Sequence, residues 1–112
     1  MAKYAFFFTY SSEAWARMIQ NPGDRTAAIR QLVSGLGGSI ESVYWMFGPY
    51  DGILIADLPD SVGAAALSVA AGSTGAFKHL ETHELFGQDQ LGQTLARAKE
   101  ASPAYQAPGQ QR

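Results

Sequence analysis

The chain has 112 residues, 46% of them apolar and only 16% charged, with a formal net charge of −2 and no cysteine. That length supports one domain with a single core, and the charge gives no electrostatic reason to expect nucleic acid or an anionic membrane as a partner. The lack of cysteine excludes disulfides and thiolate metal sites, and a charged share below the roughly 25% of ordinary soluble domains points to surface hidden in an oligomer.

The stretch Lys3 to Tyr10 is rich in aromatics, has no helical period and reads as a first strand. Its apolar residues fall on both faces, with Tyr4, Phe6 and Phe8 on one and Ala5 and Phe7 on the other. The run is too short to span a membrane and lacks a secretory cleavage site, so a cytoplasmic protein is expected. Ser11 or Ser12 caps a helix whose inward stripe would be Trp15, Met18 and Ile19. Asn21-Pro22-Gly23 interrupts it, because proline cannot donate the helical hydrogen bond and disfavours helix just before it. Asp24 restarts a helix as N-cap. Ile29, Leu32, Val33 and Leu36 then follow the i, i+3, i+4, i+7 pattern, and Gly37-Gly38 supplies a left-handed C-terminal cap.

A second strand is expected from about Ser39 to Phe47 and a third from about Gly52 to Leu58, joined by Gly48-Pro49-Tyr50-Asp51 with proline at the second turn position. Both arms of this hairpin carry apolar residues on both faces. Ile53, Leu54, Ile55 and Ala56 run without a break, whereas a strand with one wet face should alternate. Asp60 or Ser61 caps an Ala-rich helix to about Ala71, ended by Gly72-Ser73-Thr74-Gly75. The fourth strand, about Ala76 to Phe86, is the most polar. Asp89 is expected to cap a short amphipathic helix carrying Leu91, Leu95 and Ala98, with Arg97 and Lys99 near its negative end. Residues 1–100 then form a single domain, and 101–112, rich in Pro, Gln, Ala and Gly, form a disordered tail.

The order β-α-β-β-α-β is the split arrangement called ferredoxin-like, an α+β fold with a four-stranded antiparallel sheet, here with an extra C-terminal helix. It puts strands one and three at the centre and two and four at the edges. Two helices cover only one face of such a sheet. The apolar residues on the other face need a second cover, most simply the sheet of a second copy, so a homodimer or higher homo-oligomer is expected.

The segment Tyr44-Trp45-Met46-Phe47-Gly48-Pro49-Tyr50-Asp51, followed by an apolar strand and Leu58-Pro59-Asp60, resembles the GYD domain family, named for the residues here at Gly48, Tyr50 and Asp51. Supporting matches are Asn21-Pro22-Gly23-Asp24-Arg25, Leu36-Gly37-Gly38 and Ser73-Thr74-Gly75-Ala76, over roughly residues 3 to 90. The resemblance implies a dimeric α+β barrel and no established reaction. His79 and His83 depart from the small hydroxyl residues that it implies on strand four.

Several side chains are candidates for chemistry. Tyr50 and Asp51 at the turn would act as donor and base at the mouth of a pocket, or Asp51 simply bonds the local backbone. His79, Glu81 and His83 alternate and so share one face of strand four. Adjacent members lie roughly 7 Å apart and the outer pair roughly 13 Å, so one metal ion for all three is hard to build. The readings open for them are acid–base work near neutral pH or contact with a bound ligand, Glu81 included, metal or haem ligation by an adjacent pair, and an edge strand made polar against aggregation. Tyr44 and Trp45 would shape a pocket for an apolar ligand or join the core and interface, and Arg25 would bind a ligand carboxylate or sit on a solvated helix face. No metal or other cofactor is expected. Two functions follow: an enzyme that binds or transforms a small apolar or aromatic metabolite in a barrel cavity, or a non-catalytic ligand-binding or assembly module.

Overall fold

A computed structural model describes residues 1–110. The described residues form four strands and four α-helices: β1 (Ala2–Tyr10), α1 (Ser12–Gln20), α2 (Arg25–Gly35), β2 (Ser39–Trp45), β3 (Gly52–Leu58), α3 (Ser61–Gly72), β4 (Phe77–Leu85) and α4 (Gln88–Ala101). The sheet order is β2-β3-β1-β4, and every pairing is antiparallel. The apolar strands β1 and β3 are central and the polar β4 is an edge, as the composition requires.

Local chemistry sets most element ends. Ser11, Asp24 and Asp60 each cap a helix by accepting from the backbone N–H three residues on, at Ala14, Ala27 and Gly63. Gly37 takes φ +81°, the left-handed conformation that ends α2 without a Cβ penalty. α4 differs from expectation: its N-cap is Gly87, without a side-chain bond, and Asp89 lies inside the first turn. β2 ends at Trp45 rather than Phe47, because the backbone already turns at Met46, whose N–H bonds the Asp51 carbonyl.

α2 packs on β2, and α3 packs on β3 and β4. Between these helices and the sheet lies the core of Tyr4, Phe6, Val33, Leu54, Ala56, Leu58, Ala64 and Leu67, with Ile29, Leu32 and Leu36 against it. Along β3 burial alternates strictly, with Leu54, Ala56 and Leu58 buried toward the helices and Ile53, Ile55 and Asp57 half-buried on the other face. α1 behaves unexpectedly. It buries Ala14 and half-buries Met18, while Trp15 and Ile19 are exposed, and Trp15 packs edge-on against Tyr10 at the end of β1 instead of under a sheet face.

The sheet face away from the helices is open. Its rows, read across β2, β3, β1 and β4, are Tyr44–Ile53–Phe7–Glu81 and Ser42–Ile55–Ala5–His83, followed by Ser39–Asp57–Lys3–Leu85. At the last row Lys3 Nζ bonds both Asp57 and Glu41, each at 3.1 Å. α4 projects from the body, and none of its residues is buried. The radius of gyration is accordingly 18.3 Å, against about 13 Å for a compact domain of this size. The segment expected to be a disordered tail opens with a 3-10 turn at Ser102–Ala104; its last two positions, 111 and 112, lie outside the described residues. No described helix is long and apolar enough to cross a membrane.

Candidate functional site

Strand alternation places His79, Glu81 and His83 together on the open face, opposite Thr9, Phe7 and Ala5 of β1. The Glu81 carboxylate is the centre of the group. His79 Nε2 lies 2.8 Å from Oε2, and His83 Nε2 lies 3.0 Å from Oε1. Tyr50 completes it from the hairpin turn, its hydroxyl donating to Glu81 Oε2 at 2.5 Å. Tyr50 and His83 sit on Phe7, whose ring meets Tyr50 at 5.2 Å and His83 edge-on at 5.8 Å, and the His79 ring lies 6.3 Å from that of Tyr50.

Three donors on one carboxylate stabilise its charged form. The Tyr50 hydroxyl, then His83 and His79, pull the Glu81 carboxyl from its ordinary 4.5 down to about 2. The same contact pushes the Tyr50 phenol above its ordinary value, because losing its proton would set two negative charges side by side. Glu81 is therefore ionised and can only accept, so each imidazole turns an Nε2–H toward it. In the neutral ring this leaves Nδ1 as a proton acceptor. The two rings are about half exposed and Glu81 keeps 30% of its side chain open, so incoming molecules can reach them. Among the described residues, no group of three or more His, Asp and Glu side chains is arranged to hold a metal ion.

The remaining candidates lie elsewhere. Asp51 turns away from the group: its Oδ2 accepts from the Tyr10 N–H at 2.8 Å and from Trp15 Nε1 at 3.3 Å, tying the hairpin turn to β1 and α1. Tyr44 is on the open face, exposed, in the same row as Phe7 and Glu81. Trp45, the next residue, points to the helix side, and its Nε1 donates to the Tyr10 hydroxyl at 3.3 Å. Arg25 opens α2 and lines a separate cleft against α1. Phe7, the platform of the group, was legible only as an apolar strand residue; its pairing with Glu81 across β1 and β4 depends on register.

Comparison with known proteins gives one family. The family described as GYD domain matches residues 4–95, a span that holds every residue of the group. One solved structure, described as the crystal structure of FFRP-DM1, has a TM-score of 0.48 to this chain at 10% identity, over 77% of this chain and 100% of its own. No curated protein gives a significant match.

Proposed function

The chain belongs to the GYD domain family, and from that premise we propose that it works as a homodimer in the cytoplasm. In this reading the open sheet faces of two copies enclose a small apolar or aromatic metabolite for acid–base chemistry at Tyr50, His79, Glu81 and His83. The observation that carries the reading is the Glu81 carboxylate bracketed by one phenol and two imidazoles on an aromatic floor. An ionised carboxylate that holds Nε2–H fixes each ring and leaves Nδ1 to take a proton from a bound molecule or return one. Tyr50, kept protonated, is the neutral donor beside them. A proton moved between neighbouring carbons of a substrate, or between carbon and oxygen, needs no more than such a pair of acid and base. Tyr44, on the same face, bounds the space on the β2 side.

Two observations support the second copy. The open face carries Phe7, Ile53 and Ile55, each half-buried in a single copy, so burying the part still in water is worth a fraction of the roughly 1.5–3 kcal/mol of a fully buried apolar side chain. α4 is a 14-residue helix with Leu91 and Leu95 exposed, and isolated helices of about that length are marginal in water. Contact with another copy supplies the apolar partner that each lacks.

The test is a crystal structure of protein purified under mild conditions, paired with mass spectrometry of small molecules extracted from the same sample. The expected result is an apolar molecule between the sheets within reach of the imidazoles, absent from the H79A/H83A double variant. A space filled by the chain's own side chains, or a molecule retained by the double variant, overturns the catalytic reading in favour of a non-catalytic module.

A further inference from the structure

A second group of charged residues lies on the helix side of the sheet. Between α1 and the start of α2 is a cleft of about 620 Å³ whose walls include Arg17, Met18, Gln20, Asn21 and Arg25. A smaller hollow of about 160 Å³ continues from it to Tyr10 and Ala14, sharing Arg17, Met18 and Arg25. No acidic side chain lines either space.

Arg25 is placed against ordinary electrostatic preference in three ways. It is the first residue of α2, where the positive end of the helix dipole disfavours a cation, and no acidic residue occupies that first turn. It shares its hollows with a second cation, Arg17. Its Nε is closed off from water and has no hydrogen-bond partner, although buried polar atoms are nearly always bonded. Asp24 gives limited relief, because its Oδ1 is used in capping Ala27. An anion in the cleft removes the first two of these costs, at the helix end and between the two cations; the Nε itself is sealed by protein and out of its reach. Local choices that conflict with the free protein and agree with a bound state mark a functional position.

We propose that this cleft binds a small organic acid. Its carboxylate lies between Arg25 and Arg17, and its apolar body lies along Met18 and Ala14. A carboxylate that faces the end of a guanidinium meets its two terminal N–H groups together, a fork geometry that arginine offers and lysine does not. This inference does not depend on the Glu81 group, which lies on the opposite face of the sheet.

The experiment titrates the full chain with sodium benzoate and, separately, with inorganic phosphate, following backbone amide shifts by NMR. Saturable benzoate binding is expected, with shifts centred on residues 14–25. R25Q weakens it by about tenfold or more; R25K also weakens it, and R17Q does so to a smaller extent. E81Q leaves it unchanged, so loss of the acid–base reading would not touch this one. Unfolding curves establish that R25Q and R25K are folded at the temperature used. No saturable benzoate binding, equal binding by R25Q, or binding of phosphate in place of benzoate each overturns the proposal.

Discussion

The Tyr50 hydroxyl and the Glu81 carboxylate meet at 2.5 Å although β1 lies between the turn that carries one and the edge strand that carries the other. The tyrosine ring crosses the sheet over Phe7 to reach its acceptor. Tyr50→Phe keeps that ring contact and deletes the bond. Since the phenol is the largest cause of the low Glu81 value, the carboxyl should rise from about 2 toward the ordinary range. Carbon-detected NMR titration of the Glu81 side chain reads this directly. An unmoved titration would mean that the hydroxyl does not bond the carboxylate in solution.

The same shift predicts a pH dependence of stability. Glu81 titrates at about 2 when folded and near 4.5 when unfolded. The unfolded state therefore binds the extra proton, and the contribution is fully present above pH 4.5 and lost as pH falls toward 2. Glu81→Gln should show a shallower loss of urea stability than the wild type across that window. At the alkaline end the signs reverse. Tyr50 and Lys3 are both raised, by Glu81 and by Asp57 first of all. Their contributions are full below pH 10 and are lost as pH rises through the raised values. Tyr50→Phe should flatten its share of that alkaline decline.

Much of this arrangement is written locally. Caps at Ser11, Asp24 and Asp60 act within three residues, and the shared face of His79, Glu81 and His83 follows from the period of a strand. Tyr44 and Trp45 are adjacent in one strand, so they could not both face one pocket; that signal was present and decides against Trp45. The Tyr50–Glu81 contact spans 31 residues and depends on sheet order and on the direction in which a turn folds back. Neither is encoded at either residue. The expected inward stripe of α1 held only at the half-buried Met18 and not at Trp15 or Ile19 for a related reason, since periodicity gives a helix's apolar face but not what that face meets.

Asp51 holds the turn that aims Tyr50. Asp51→Ala would leave the Tyr10 N–H without its acceptor, and Tyr10 is buried. A cost of about 1–3 kcal/mol is expected, with a change in Trp15 fluorescence as its indole loses the same carboxylate. Asp51→Asn retains an acceptor oxygen and should recover most of the stability. If instead Asn were as unstable as Ala, the negative charge rather than the bond would be what the turn requires.

Packing gives an independent check at Gly38. A Cβ there would lie 2.3 Å from the Asp57 carbonyl oxygen and 2.6 Å from Leu58 Cδ2, whereas one at Gly23 would meet nothing within 4 Å. The carbonyl belongs to the central strand β3 and cannot move aside cheaply. Gly38→Ala should destabilise by about 1–3 kcal/mol, visible as a fall of several degrees in Tm, and Gly23→Ala should change little.

The dimer is tested at Ile55, near the middle of the open face between Ser42 and Ala5. In a monomer this side chain is half-buried on an uncovered face, so Ile55→Lys places a charge where water reaches it and the fold should survive. In the face-to-face dimer the same lysine would be sealed between two sheets opposite its own symmetry mate or another apolar side chain. Burying an unpaired ammonium costs several kcal/mol, so the dissociation constant should rise by roughly a hundredfold or more. Sedimentation velocity across a concentration series, with circular dichroism on the same samples, separates the outcomes. A wild-type dimer and an intact but monomeric variant support the enclosed site. A wild type that stays monomeric at micromolar concentration leaves the Tyr50–Glu81 group on an open surface, without the water exclusion that acid–base work on an apolar molecule requires.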